Sequence, residues 1–224
     1  MVEFTQHSNV TLYKSNASDL DVARAAWVSQ NAEAHEKESE PGRIEGLINF
    51  LYKNKHMSPF EHGQFTFVVE TPLFVAREFH RHRTWSYNEI SGRYTILPKK
   101  FFVMDVENRP LVQTGKVGNY KFELGSYAQR RHVEGAYRRM AIQADKEYQD
   151  MLDIGVAKEV ARGVLTVAQM TSFWATVNPR NLMHFLELRT DPTALYEIRE
   201  VAGLMEKAFE QQMPMTYKAW RNNG

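Results

Sequence analysis

The sequence has no cysteine among its 224 residues. Disulfides, thiolate-bound metals and a cysteine nucleophile are therefore excluded. It also lacks a long apolar run: none reaches the ~18 residues that cross a bilayer as a helix. Met1 to Asn16 carries no basic-then-apolar pattern, so no secretory leader is expected and the chain is assigned to the cytoplasm. Net charge is nearly absent too, at +1, which argues against a chain that binds a nucleic-acid polymer through bulk charge. There is no Gly-x-Gly-x-x-Gly turn, no P-loop and no Gly-x-Ser-x-Gly elbow. A dinucleotide held by a Rossmann turn and a serine-hydrolase site are set aside on that ground. No linker rich in Gly, Ser or Pro, no internal repeat and no low-complexity segment interrupts the chain, so one domain over residues 1–224 is expected.

What remains is an ordinary globular composition, 43% hydrophobic and 25% charged. One stretch departs from it. From Arg77 to Arg93 there are four arginines against Glu78 and Glu89, with His80 and His82 among them. Within it, Arg81-His82-Arg83-Thr84-Trp85-Ser86-Tyr87-Asn88-Glu89-Ile90-Ser91-Gly92-Arg93-Tyr94 interleaves charge with aromatic rings. A buried strand or helix does not tolerate that charge, and a disordered tail does not carry those rings. The stretch reads as a loop on a folded scaffold, its arginines offering bidentate bonds to an anionic, aromatic ligand. A small phosphorylated ligand suits a local positive site in a neutral chain.

Periodicity places the stretch. A short strand is expected within residues 2–14, and a helix capped by Ser18 follows. Pro41-Gly42 should break the chain after the charged run Glu33 to Glu40. Ile44, Leu47, Ile48 and Leu51 mark an amphipathic helix. His56 to His62 reads as a loop and Gln64 to Glu70 as a strand. Thr71-Pro72 should start a helix reaching about Arg83. A strand near Phe101 to Val103 and a polar surface excursion over 105–118 follow. A long helix from about Leu124 to Ile154 comes next, its apolar stripe running through Tyr137, Met140, Ala144, Tyr148 and Met151, with Gly155 at its end. A shorter helix over Ala157 to Leu165 precedes a strand over Gln169 to Val177. Asn178-Pro179 and Asp191-Pro192 each should open a helix. The sum is α+β, mixed helices around a small mostly antiparallel sheet.

The residues alone leave several chemistries open. His80-x-His82 with His56 and His62 is a possible metal set, opposed by the neighbouring arginines. A nucleotide- or RNA-binding module that stacks bases on aromatics is a second reading. Ser86 and Ser91 lack an identifiable base and make weak nucleophiles.

Taken together, Arg81-His82-Arg83-x-x-Ser86-x-x-Glu89-x-Ser91-x-Arg93 resembles the signature of the flavin-dependent thymidylate synthases. His56 to His62, Val160-Ala161-Arg162 and Asn178-x-Arg180 with His184 and Arg189 resemble other segments of that family. The resemblance spans about Leu20 to Phe209 and implies reductive methylation of dUMP to dTMP. Methylenetetrahydrofolate would supply the carbon, and FAD reduced by NADPH the hydride, delivered to uracil C6 with no protein nucleophile. The missing cysteine agrees with that chemistry.

The resemblance also implies roles. Arg189 would be catalytic, at the uracil edge. Ser58, Glu61, Arg81, His82, Arg83, Glu89, Asn178, Arg180 and His184 would contact FAD. Glu78, Phe79, His80, Arg81, Glu89, Ile90, Ser91, Gly92, Arg93, Arg162 and Arg189 would contact dUMP. His56 would lie on the folate and NADPH side, and no metal is implied. Glu78 is Gln, and His184 is Asn, in other members. The family implies a homotetramer with sites shared between subunits, and no nucleic-acid or membrane partner.

Overall fold

The computed structural model describes residues 1–29, 41–116 and 118–223. Eight strands and eight helices are defined among them. In chain order they are β1 (Glu3–Thr5), β2 (Asn9–Ser15), α1 (Asp19–Trp27), α2 (Pro41–Lys53), β3 (Phe65–Pro72), α3 (Leu73–Phe79), β4 (Ser86–Glu89) and β5 (Lys100–Phe102). There follow β6 (Val112–Lys116), β7 (Asn119–Glu123), α4 (Tyr127–Asp153), α5 (Lys158–Ala161), β8 (Met170–Val177), α6 (Pro179–Arg189), α7 (Tyr196–Gln212) and α8 (Pro214–Asn223). A four-stranded sheet runs in the order β2-β3-β8-β4, β1 pairs in parallel with β5, and β6 and β7 form an antiparallel hairpin. No helix among the described residues is long and apolar enough to cross a membrane.

The chain divides into two compact units. The first contains Met1–Ser8, Glu70–Arg81 and Glu89–Ser172. The second contains Asn9–Val69, His82–Asn88 and Phe173–Gly224. The first has a core of Phe102, Met104, Val106 and Met170, with Phe74, Leu111, Val133 and Tyr137 packed against it. In the second, the buried faces of α2 (Ile44, Ile48, Leu51) and α7 (Ile198, Val201, Ala202, Met205, Phe209) supply much of the apolar interior.

Several expectations hold because local chemistry decides them. Ser18 accepts from the Asp21 amide and caps α1. Asn178 does the same for Asn181, with Pro179 in the first turn of α6. Thr171, Phe173, Ala175 and Val177 alternate inward on β8. Gly155 follows α4 with φ +86, a conformation that favours glycine.

Other expectations need correction. The residues 2–14 form two strands, β1 and β2, separated by Gln6 to Ser8. Pro41-Gly42 does not break the chain: both lie in the first turn of α2, where proline costs nothing because that amide needs no partner. The charged run before it lies outside the described residues. His56 to His62 is partly regular, with a 3-10 turn over Ser58–Glu61. Thr71-Pro72 belongs to β3, so α3 starts at Leu73 and ends at Phe79 rather than near Arg83. The polar segment after Met104 is the surface excursion expected, and it carries β6, one strand of a largely exposed hairpin. Met140 is 58% exposed and Ala141 takes the inward position on α4. Asp191 starts no helix, because its carboxylate accepts from both the amide and hydroxyl of Thr193 and forms a local turn; α7 begins at Tyr196. The final helix α8 was not anticipated.

The charged stretch itself is only partly a loop. Ser86–Glu89 is β4, an edge strand of the four-stranded sheet. An edge strand exposes alternate side chains to solvent, which is how a strand accommodates this polarity.

Candidate active site

Each unit contains a cavity, and the expected site residues sort between them. In the second unit a cavity of about 550 Å3 is lined by Glu61, Asn178, Arg180 and His184 among others. Its floor follows from α6. The Asn178 cap and the spacing of Arg180 and His184, one turn apart, put all three on the same side. Arg180 forms an ion pair with Glu61 across the cavity lining. Ser58 begins the 3-10 turn that carries Glu61, and Ser58 itself is exposed. His56 is exposed, with its ring 6.0 Å from that of Phe50.

His82 and Arg189 belong to the same unit and touch. The Arg189 Nε donates to His82 Nε2 at 3.0 Å. Around His82 lie the rings of Phe185 at 4.9 Å and His184 at 6.4 Å. Burial holds its imidazole down to about 4, and the Arg189 charge and His184 push the same way. A neutral imidazole accepts from a guanidinium; an imidazolium does not. The aromatic residues of the stretch serve as packing: Trp85 is buried, 5.0 Å from Phe185, and Tyr87 donates to the His82 carbonyl. Burial pushes the Tyr87 hydroxyl far above its ordinary range. Arg83 is exposed, and no hydrogen bond or ion pair of its side chain is found among the described residues.

In the first unit a cavity of about 390 Å3 is lined by Arg77, Glu89, Ile90, Gly92, Glu159 and Arg162, with residues of β8 behind them. A Cβ on Gly92 would lie 2.9 Å from Arg162 Cδ and 3.0 Å from Leu97 Cδ1. Glycine is needed there for the Arg162 side chain to approach, not for an unusual backbone angle. Glu89 is fixed by Thr171, whose hydroxyl donates to Glu89 Oε1 at 2.5 Å. Arg93 donates to Glu159 at 2.8 Å, and the Ser91 hydroxyl accepts from the Arg93 amide at 3.3 Å. Glu78, His80 and Arg81 lie on or just after α3 in this unit. Phe79 is fully buried, so a contact from it to a nucleotide would come through its backbone.

Sequence reasoning missed Arg77, Glu159 and Thr171 in one cavity and Tyr52, Asn181 and Glu187 in the other. The Glu187 charge adds to burial in raising the Tyr52 hydroxyl above its ordinary range. Thr171 left one signal: a hydroxyl on the inward face of a strand otherwise filled by Phe173, Ala175 and Val177. Among the described residues no group of three or more His, Cys, Asp or Glu is arranged to hold a metal ion.

A family model described as thymidylate synthase complementing protein matches residues 11–215. The flavin-dependent thymidylate synthase of Streptomyces avermitilis is 46% identical, over 99% of this chain and 94% of its own length. The chain belongs to this family. A member from Tropheryma whipplei is 38% identical over 99% of the chain and 95% of its own length. Among solved structures, the UMP/dUMP methylase PolB of Streptomyces cacaoi, bound with 5-Br dUMP, aligns with a TM-score of 0.93 at 41% identity. That alignment covers 100% of this chain and 98% of PolB. The same methylase bound with 5-Br UMP aligns at 0.90. Family membership thus agrees with the α+β fold and with the signature around Arg81 to Arg93.

Proposed function

We propose that this chain is a flavin-dependent thymidylate synthase that methylates dUMP at uracil C5 to give dTMP. Methylenetetrahydrofolate is the carbon donor and NADPH the reductant. The observation that carries this reading is the family match over residues 11–215 joined to two cavities whose linings include Glu61, Asn178, Arg180 and His184 in one and Glu89, Ile90, Gly92 and Arg162 in the other. Both volumes fall in the range of small-molecule sites.

The second-unit cavity fits a flavin by its donor set. Asn178, Asn181 and His184 offer hydrogen bonds to the edges of an uncharged heterocycle, and exposed Arg83 in that unit is available to phosphate. Ser58, Glu61, His82 and Arg180 are the other flavin contacts proposed in this unit, and Arg81 and Glu89 are those proposed in the first unit. Bound there, the reduced flavin supplies the hydride taken up at uracil C6, which no cysteine in this chain can activate.

The chain's own part is positioning and charge. Arg162, Arg93, Ser91 and Gly92 with Glu78, His80, Arg81 and Ile90 hold the nucleotide. Arg189 places a guanidinium beside the uracil edge and stabilises negative charge developing there. His82 accepts from Arg189 Nε and orients it. His56 serves the folate and nicotinamide side, and the working assembly is a homotetramer with shared sites. PolB's description names UMP as well as dUMP, so UMP is the second substrate to assay.

Arg189→Ala tests the assignment. It is expected to retain flavin, seen in the visible spectrum, while losing about a hundredfold or more in kcat, the scale of removing one electrostatic donor. Turnover at the wild-type rate would refute the role given to Arg189.

A further inference from the structure

The first-unit cavity places two carboxylates, Glu89 and Glu159, in the same lining as two arginines, Arg77 and Arg162. A carboxylate facing a free guanidinium should pair with it. It would then occupy the cations an anionic ligand needs. Yet no hydrogen bond or ion pair of the Arg77 or Arg162 side chains is found among the described residues. Both carboxylates are instead committed elsewhere. Glu159 is held by Arg93 at 2.8 Å. Glu89 is held by the Thr171 hydroxyl at 2.5 Å.

Thr171 suits that task. It is 5% exposed on β8, the strand next to β4 in the sheet. The Ile90 amide donates to the Ser172 carbonyl at 3.0 Å, which locks the register that brings Glu89 opposite Thr171. A hydroxyl on so rigid a strand constrains its acceptor more than a surface side chain does.

We propose that Thr171 is a positioning residue. By anchoring one Glu89 oxygen it keeps Glu89 off Arg77 and Arg162, leaving both arginines for the nucleotide's phosphate, and it turns the second oxygen toward a donor on the ligand. This rests on reading the cavity as the dUMP site. Thr171 touches no reacting atom in this account and acts through Glu89.

The test is calorimetric titration with dUMP, together with kcat and KM, on the flavin-loaded wild type, Thr171→Val, Thr171→Ser, Glu89→Gln and the Thr171→Val/Glu89→Gln double variant. Valine keeps the shape and removes the donor. Thr171→Val should weaken dUMP binding and raise KM about tenfold, as loss of a hydrogen bond to a charged group does, with kcat changed by less than about twofold. Thr171→Ser should restore binding to near the wild-type value. In the Glu89→Gln background, where position 89 has no carboxylate to capture an arginine, Thr171→Val should add nothing. Unchanged dUMP binding in Thr171→Val overturns the proposal. So does an equal loss in both backgrounds, because that marks a role in packing alone. Wild-type protein that takes up flavin but binds no dUMP would overturn the reading of the cavity, and the proposal with it.

Discussion

The two cavities differ in how they handle their own charge. In the second unit the arginine of the lining is already paired: Arg180 is held by Glu61, and uncharged side chains such as Asn178 and Asn181 supply further donors. In the first unit the pairing is the reverse: the glutamates are tied to Thr171 and Arg93, while Arg77 and Arg162 line the cavity with no side-chain hydrogen bond or ion pair among the described residues. A neutralised lining favours a heterocycle recognised by shape and hydrogen bonds. A lining with unpaired guanidinium groups favours a phosphate. Fold alone does not make that distinction; it follows from which partner each charged side chain has been given.

The comparison breaks first at Arg162. Arg162→Ala should raise the KM for dUMP by about a hundredfold, the loss of a charge-assisted contact to the phosphate, while flavin content stays at the wild-type level. Equal loss of both ligands would show that the two linings do not act separately. Arg180→Ala is the mirror experiment. It should weaken flavin binding about tenfold in a fluorescence titration and leave the dissociation constant for dUMP unchanged. The effect is smaller because Arg180 is already paired with Glu61, so part of its charge is spent within the protein.

A third test concerns pH. The His82 imidazole is held below its ordinary 6.5, down to about 4, chiefly by burial. Between those values the unfolded chain takes up a proton that the folded chain refuses. The stability due to neutral His82 is therefore complete above pH 6.5 and falls as pH drops toward 4. Thermal melting across that window should be steeper for the wild type than for His82→Gln, which keeps an acceptor but does not titrate. Parallel curves would contradict the assignment. The smallest effect is expected from Gly92→Ala. The new methyl, 2.9 Å from Arg162 Cδ and 3.0 Å from Leu97 Cδ1, meets side chains and no backbone, and these can shift. A rise of a few-fold in the KM for dUMP is expected, about 1 kcal/mol, with flavin binding untouched.

How much of this was readable in advance depended on the range of the interaction. Caps are local, and Ser18 and Asn178 announced α1 and α6 correctly. The helix starts expected at Thr71-Pro72 and Asp191-Pro192 failed because proline after a polar residue also suits a strand end or a tight turn. Residues of the signature were placed by resemblance, and the cavities gather Glu89, Ile90, Gly92 and Arg162 in one unit and Glu61, Asn178, Arg180 and His184 in the other. Thr171 and Glu159 escaped notice because their importance lies in partners far along the chain, Glu89 and Arg93, and a single sequence does not pair them. The neutral state of His82 was equally invisible, since it comes from burial against Phe185 and from the charge on Arg189.

The central claim is that this chain couples flavin to methylation of dUMP, and tritium release from C5-labelled dUMP tests it most directly. Purified protein, yellow with bound FAD and supplied with NADPH and methylenetetrahydrofolate, should release tritium and form dTMP in equal amounts. Release should stop when the flavin is stripped and return when FAD is restored. A colourless protein that takes up no FAD and releases no tritium would contradict the account.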